Sequence, residues 1–417
     1  MIGKVLASYR RAFSGLPKPV WILAFVAFVN RSGTMVVPFL VLYLTEARGY
    51  SATAAGRMLA LYGLGAILGT YLGGWLSDKV GTRRVLLSSL WSGAGAFLLL
   101  GFLRERWAIA CAAFFLSLVS EAFRPALATA TAEASPPGER GRAFALNRLA
   151  VNIGMSFGPA AGGFLAQINY FWLFIADAAT SFLAGWVLLR SFRKLPVRPA
   201  PHETKTVPGG SPWSDGPFVA LICLMTLYGL VFFQLLGAYP LTLRGQFGLS
   251  ESWIGISLAV NTVCITCFEM LLVHSLRRRD PYKVIGLGSF LLCLGFALLP
   301  FGTGRAYVIF TVLIWTLGEM LSLSIVSGVV AERAGNSNQG RFMGAFALSF
   351  AVAFVAAPLL GTWAYQNYGP QILWPACGVL GIALWIGFNL LSRVAARQSL
   401  PLASHPNPEQ TSPSNAV

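Results

Sequence analysis

The sequence predicts an all-α integral membrane protein of twelve transmembrane helices, arranged as two pseudo-symmetric six-helix bundles with both termini on the cytoplasmic side. Three observations carry this expectation: scarce charge, twelve apolar runs of bilayer length, and an internal repeat relating the first six runs to the last six.

Of the 417 residues 11% are charged and 56% apolar, too little charge to clothe a soluble domain of this length. The net charge of +16 would suit a nucleic-acid binder if it were clustered. It is instead dispersed from loop to loop, which argues against a nucleic-acid partner. The six cysteines all lie inside apolar runs without disulfide-like spacing, and the Cys264–Cys267 pair has no second pair to complete a metal site.

A helix needs roughly 20 apolar residues to cross about 30 Å of hydrocarbon. Runs of that size fall near 18–44, 54–77, 85–103, 107–134, 143–166, 171–191, 217–243, 253–276, 282–300, 306–331, 341–365 and 370–392. They lack the alternation of a β-barrel and are about twice too long for its strands. The first run follows Lys4, Arg10, Arg11 and Lys18, is too long for a signal-peptide core, and reads as an uncleaved span.

With the N-terminus inside, 23 of the 31 basic residues fall at cytoplasmic ends and loops, five fall outside and three (Arg31, Arg57, Arg124) within spans. That bias is what the positive-inside rule requires. The chain then divides into a first bundle (1–192), a cytoplasmic linker (193–216), a second bundle (217–395) and a polar tail (396–417) expected to be disordered.

The halves repeat. Ser120-Glu121-Ala122 matches Gly318-Glu319-Met320 at an offset of 198 residues. Gly141-Arg142 matches Gly340-Arg341, Gly158-Pro159 matches Ala357-Pro358, and Gly162 matches Gly361, all at 199. An even number of spans per half makes these parallel repeats about an axis along the membrane normal.

Between the second and third runs the chain reads Gly74-x-x-x-Asp78-Lys79-x-Gly81-x-Arg83-Arg84. So short a loop needs Gly81 for its turn, and its basic residues hold it at the inner surface. The fifth run contains Gly154-x-x-x-Gly158-Pro159-x-x-Gly162-Gly163, where glycines one turn apart allow close helix approach and the proline bends the span. The first pattern resembles the signature loop of the major facilitator superfamily, and the resemblance extends over all twelve spans. The second is similar to the family's antiporter motif, most like its proton-coupled drug-efflux branch. The resemblance implies that Asp78 contacts the start of span eleven near Gly340 and latches the inner side closed. It also implies that spans one, four, seven and ten line a central cavity.

Charges at membrane depth cost roughly 2.5–3.5 kcal/mol each on insertion scales, so they mark candidate sites. Arg31, beside Asn30, lies in span one; Glu121 and Arg124 lie in span four, Glu269 in span eight and Glu319 in span ten. Under the family arrangement Arg31, Glu121, Arg124 and Glu319 surround one space. Glu121 is drawn into an ion pair by Arg124 three residues on. Glu319 and Glu269 have no intramembrane cation in their own half and are expected to remain unpaired and carry protons, with Glu121 the third acid of the coupling set. Tyr228, Phe232, Phe233, Gln234 and Trp315 are candidates to line an apolar substrate cavity. Asp177 is expected to make an inter-helix hydrogen bond. Glu133 and Glu332 are expected to latch onto Arg83/Arg84 and Arg277–Arg279.

These features lead to a secondary transporter working by alternating access, with no cofactor beyond a proton gradient. It is expected to be a monomer in a bacterial inner membrane, exporting small amphipathic drug-like molecules. Proton-coupled uptake of a zwitterionic or anionic nutrient, such as a short peptide, is the alternative, with a lipid translocator behind it. No P-loop, HExxH or nucleophile elbow supports an enzyme.

Overall fold

In the computed structural model the described residues are 14–136, 138–192, 211–276 and 278–398, with the side chains of 335–340 and 397–398 outside that set. The expected linker falls mostly, and the tail almost wholly, outside it, as do Lys4, Arg10, Arg11 and Arg277.

Twelve helices long and apolar enough to span a membrane are present among the described residues. They are α1 (Lys18–Ala47), α2 (Ala52–Val80), α3 (Thr82–Phe102), α4 (Arg106–Ala134), α5 (Arg140–Ile168) and α6 (Phe171–Ser191), then α7 (Gly216–Leu236), α8 (Glu251–Leu276), α9 (Pro281–Phe301), α10 (Gly304–Ala334), α11 (Arg341–Tyr368) and α12 (Pro370–Ala396). Local chemistry sets several ends. The Ser51 hydroxyl accepts from the Ala54 amide at the start of α2, Asp215 caps α7 through Phe218, and Asp280 caps α9 beside Pro281. The turn from α2 to α3 is made at Gly81, whose φ of 91° is closed to other residues, as the loop motif requires.

Every residue from Gly304 to Tyr368 is helical, so no extended loop separates α10 from α11. Nevertheless Trp315 packs on Tyr239 while the Tyr365 hydroxyl donates to the Leu241 carbonyl. Residues 50 apart in one straight helix would lie about 75 Å apart, so α10 and α11 fold back antiparallel.

Large apolar side chains such as Phe25, Phe102, Phe164 and Ile382 are exposed, the inverted pattern of a chain solvated by lipid. Cohesion between helices then depends on close approach of small residues. A Cβ on Gly65, Gly69 or Gly73 of α2 would strike the α4 backbone at Phe114, Leu118 and Ala122.

The first and seventh spans are both interrupted. α1 stops at Ser32, turns through Gly33–Met35 and resumes at Val36. The α7 helix passes through a tight 3₁₀ turn at Phe233–Leu236 and resumes as Ala238–Gly245. The breaks bring polar backbone into the bilayer, where it must be satisfied by other groups.

Among the described residues the halves meet mainly along two seams, α2 against α11 and α5 against α8, with the end of α1 also touching the end of α7. At the end of the molecule opposite the Gly81 turn both seams are tight. Gly56 abuts Thr362 and Pro358, Gly63 abuts Val355, Gly163 abuts the Glu251 backbone and Gly255 abuts the Pro159 carbonyl. At the Gly81 end the α2/α11 faces part: Thr70, Gly344 and Leu348, which continue the same stripes, are exposed.

Candidate functional site

The motif glycines of α5 seat the break of α1. A Cβ on Gly154 would meet the Phe28 carbonyl and Arg31, one on Gly158 the Thr34 carbonyl, and one on Gly162 Met35; Gly163 faces α8 instead. Pro159 lies inside the helix between them. The exposed amides at the restart of α1 are taken up by Asp177 of α6. Its carboxylate accepts from the Met35 amide at 3.0 and 3.2 Å and from the Val36 amide at 3.0 Å. A buried carboxyl group at a helix start satisfies amides that would otherwise have no partner.

Around this cap Asn30, Arg31, Tyr62, Ser120, Glu121 and Asp177 line a narrow polar cleft. Glu121 pairs with Arg124 at 3.4 Å, although Arg124 is 67% exposed. Arg31 is within electrostatic reach of Glu121. Every lining residue comes from the first half. The structure therefore brings Asn30, Arg31 and Glu121 together in this cleft, and Glu319 is not among its lining residues.

The second half holds two acids on adjoining faces of α8 and α10. Glu319 accepts from the Asn261 amide at 2.8 Å, and the same amide nitrogen donates to the Thr316 hydroxyl at 3.1 Å. Its bonded neighbour is thus neutral. Two turns along α8, Glu269 is bonded to Arg148 of α5 and to the Ser324 hydroxyl of α10. The expectation that Glu269 is unpaired is corrected here, because its cation comes from the other half. Arg148, one of the 23 basic residues that the charge bias assigns to cytoplasmic ends and loops, lies eight residues inside α5.

A second correction concerns Tyr228, Trp315 and Gln234. They lie in packed helix contacts. Trp315 is fully buried, stacked on Phe296 at 5.6 Å, and Tyr228 is fully buried against the Ser322 hydroxyl at 2.8 Å. Gln234 is spent at the α7 break, its amide donating to the Leu230 and Ala357 carbonyls. Bulky aromatics and an amide that must satisfy broken backbone are absorbed by helix packing. Phe232 and Phe233 remain half-buried, Phe232 stacked on Tyr228 and Phe233 against Phe350 and Phe354.

At the motif loop Asp78 is exposed, Lys79 lies over the Trp75 ring at 4.3 Å, and Arg83 donates to the Phe192 carbonyl at 2.6 Å. Gly74 sits beside Pro125 of α4, and Arg84 is exposed. The expected partner of Asp78 near Gly340 falls on side chains outside the described residues. Glu133 takes the Thr82 hydroxyl at 3.1 Å, with Arg83 already committed to Phe192, which corrects the expected latch. Glu332 is exposed, and part of its expected basic cluster, Arg277, lies outside the described residues. At this end Arg333 instead grips Asp215 at 2.6 and 2.7 Å. Burial raises the Asp215 carboxyl, but the Arg333 and Phe218 hydrogen bonds outweigh it and hold the group below its ordinary value.

The opposite end carries a cluster that crosses the halves. Arg244 meets Glu46 at 2.7 Å and Glu251 at 3.7 Å, and the Tyr170 hydroxyl donates to Glu251 at 3.0 Å and Glu46 at 3.3 Å. Burial, reinforced by these carboxylates, pushes the Tyr170 phenol well above its usual range, so it serves as a donor. Sequence reasoning missed this cluster, Arg148, Ser324 and Asn261. Asn261 alone left a trace, as an amide in an otherwise apolar run two turns before Glu269.

The family model described as Major Facilitator Superfamily matches residues 20–358. The chain belongs to that superfamily. It is 25% identical over 336 residues to the uncharacterized MFS-type transporter YqjV of Bacillus subtilis (strain 168), covering 79% of this chain and 82% of the relative. It is 27% identical over 323 residues to the tetracycline resistance protein, class C, of Escherichia coli, covering 75% and 80%. Among solved structures it resembles a POT family transporter in complex with 5-aminolevulinic acid, with a TM-score of 0.77 at 17% identity over 92% of this chain and 97% of that one. The nucleoside transporter NupG gives 0.74 at 14% identity over 90% and 99%. The superfamily makes this chain a multi-pass membrane transporter of small molecules, not an enzyme.

Proposed function

We propose that this transporter exports amphipathic, drug-like compounds from a bacterium across its inner membrane in exchange for protons, working as a monomer with both termini cytoplasmic. Two bundles, 1–192 and 217–395, rock about the centre. The observation that carries this reading is Glu319: a half-buried carboxyl at mid-span whose hydrogen-bond partner is a neutral amide. Such a group can lose and regain a proton without breaking an ion pair. Glu269, compensated by Arg148, is not free in that way, so Glu319 is the coupling acid of the two. The glycine–proline motif of α5 and the tetracycline resistance relatives support export. A proton descending about 100 mV releases roughly 2.3 kcal/mol, enough for modest uphill transport.

The test uses inside-out vesicles energised to be acidic inside, with tetracycline and a fluorescent lipophilic cation as probes. Uptake abolished by a protonophore is the expected result. Accumulation only in right-side-out vesicles, or indifference to the protonophore, overturns the reading.

A further inference from the structure

Among the described residues, the ion pairs Arg244–Glu46 and Arg148–Glu269 tie one half to the other, and they sit toward opposite ends of the molecule. Arg244–Glu46 lies at the end where both seams are tight. Arg148–Glu269 lies on the α5/α8 seam toward the Gly81 end, where the α2/α11 faces have already parted. The two partners are unequally built. The Glu269 side chain is only 10% exposed and also receives the Ser324 hydroxyl of α10, whereas Arg148 is 62% exposed and reaches across to it. The carboxylate is thus a fixed socket in the second half, and the arginine is an arm from the first. The groups facing the socket are Arg148 from α5 and Ser324 from α10, with Glu319 of α10 within electrostatic reach and His274 further along α8.

We propose that Arg148 and Glu269 form an inter-bundle clasp that holds the α5/α8 seam shut at the Gly81 end while the α2/α11 seam opens there. The molecule then opens asymmetrically: α2 and α11 swing apart first, and full separation of the halves requires release of the clasp. Breaking it strands a carboxylate within the membrane, so the clasp couples the position of α5 to the charge of the acid pair on α8 and α10. The assignment rests on the proposed two-bundle transporter only for its rocking motion.

Spin-label distances test it without any transport step. In a chain with its six cysteines replaced, one label pair at Phe144 and Leu271 reads the α5/α8 seam and another at Tyr71 and Leu348 reads α2/α11, all four positions being exposed. Arg148→Gln and the isosteric Glu269→Gln are expected to raise the wide α5/α8 population at least about fivefold, the low end of a coupling between two sites. The α2/α11 distances should stay unchanged. The charge-swapped double variant Arg148→Glu/Glu269→Arg should restore the narrow population, and Arg148→Lys should retain it. Single variants with wild-type α5/α8 distances and melting temperature overturn the clasp, as does a folded swap that fails to restore them. Proton-driven uptake by the same variants, read separately, reports on the export reading alone.

Discussion

Glu319 and Glu269 sit on the same pair of helices about two turns apart, yet their surroundings are opposite. Glu319 is held by an amide that also serves Thr316. Glu269 is held by a guanidinium from the other half and by a serine. The bilayer sets the same cost on both charges, so the neighbours decide what each acid can do. A carboxyl with a neutral partner can exchange a proton, whereas one with a cationic partner is tied to a conformation. On the proposed reading, coupling and clasping are thus separated within one helix interface of the second half.

The largest predicted effect comes from erasing that difference. Asn261→Lys supplies Glu319 with the cation it lacks and should reduce proton-driven transport about a hundredfold, toward the upper range of site-to-site coupling. Asn261→Gln, which keeps the amide, should remain within severalfold of wild type. Vesicle uptake under an imposed pH gradient compares them, and equal rates for Lys and Gln would show that the neighbour's charge is irrelevant.

Next in size is the cap that shapes the first half. Asp177→Ala leaves the Met35 and Val36 amides unsatisfied inside the membrane and should cost about 2 kcal/mol, seen as a lower melting temperature in detergent. Gly81→Ala forces a φ of 91° on a residue with a Cβ and should cost ~1–3 kcal/mol by the same measurement.

The smallest effect concerns the Asp215–Arg333 pair. The folded-state value of Asp215 is depressed, so its charge contributes stability above the ordinary aspartate value of about 3.9, and that contribution disappears as pH falls through the lowered value. Asp215→Asn retains an N-cap and removes only the charge. It should melt below wild type at pH 7, with the gap closing as the pH falls below the ordinary aspartate range.

Much of the fold is legible in the sequence because bilayer thickness and backbone satisfaction leave few options. Twelve runs become twelve helices, and Gly81 makes the turn its chemistry dictates. The site is less legible, because which helix face meets which neighbour depends on packing between distant segments. Glu121 and Arg124, three residues apart on one helix, pair as expected. Glu269 and Arg148, separated by 121 residues, carry no such local signal. Trp315 and Tyr228 illustrate the same limit: an aromatic in an apolar span reads alike whether it lines a cavity or fills a helix contact. Here the contact prevails.

Glu319 as the proton carrier is tested most directly in proteoliposomes by its isosteric amide. Glu319→Gln should lose accumulation driven by a pH gradient while retaining counterflow of the same probe, which needs alternating access but no proton. Undiminished gradient-driven accumulation in that variant would contradict the account.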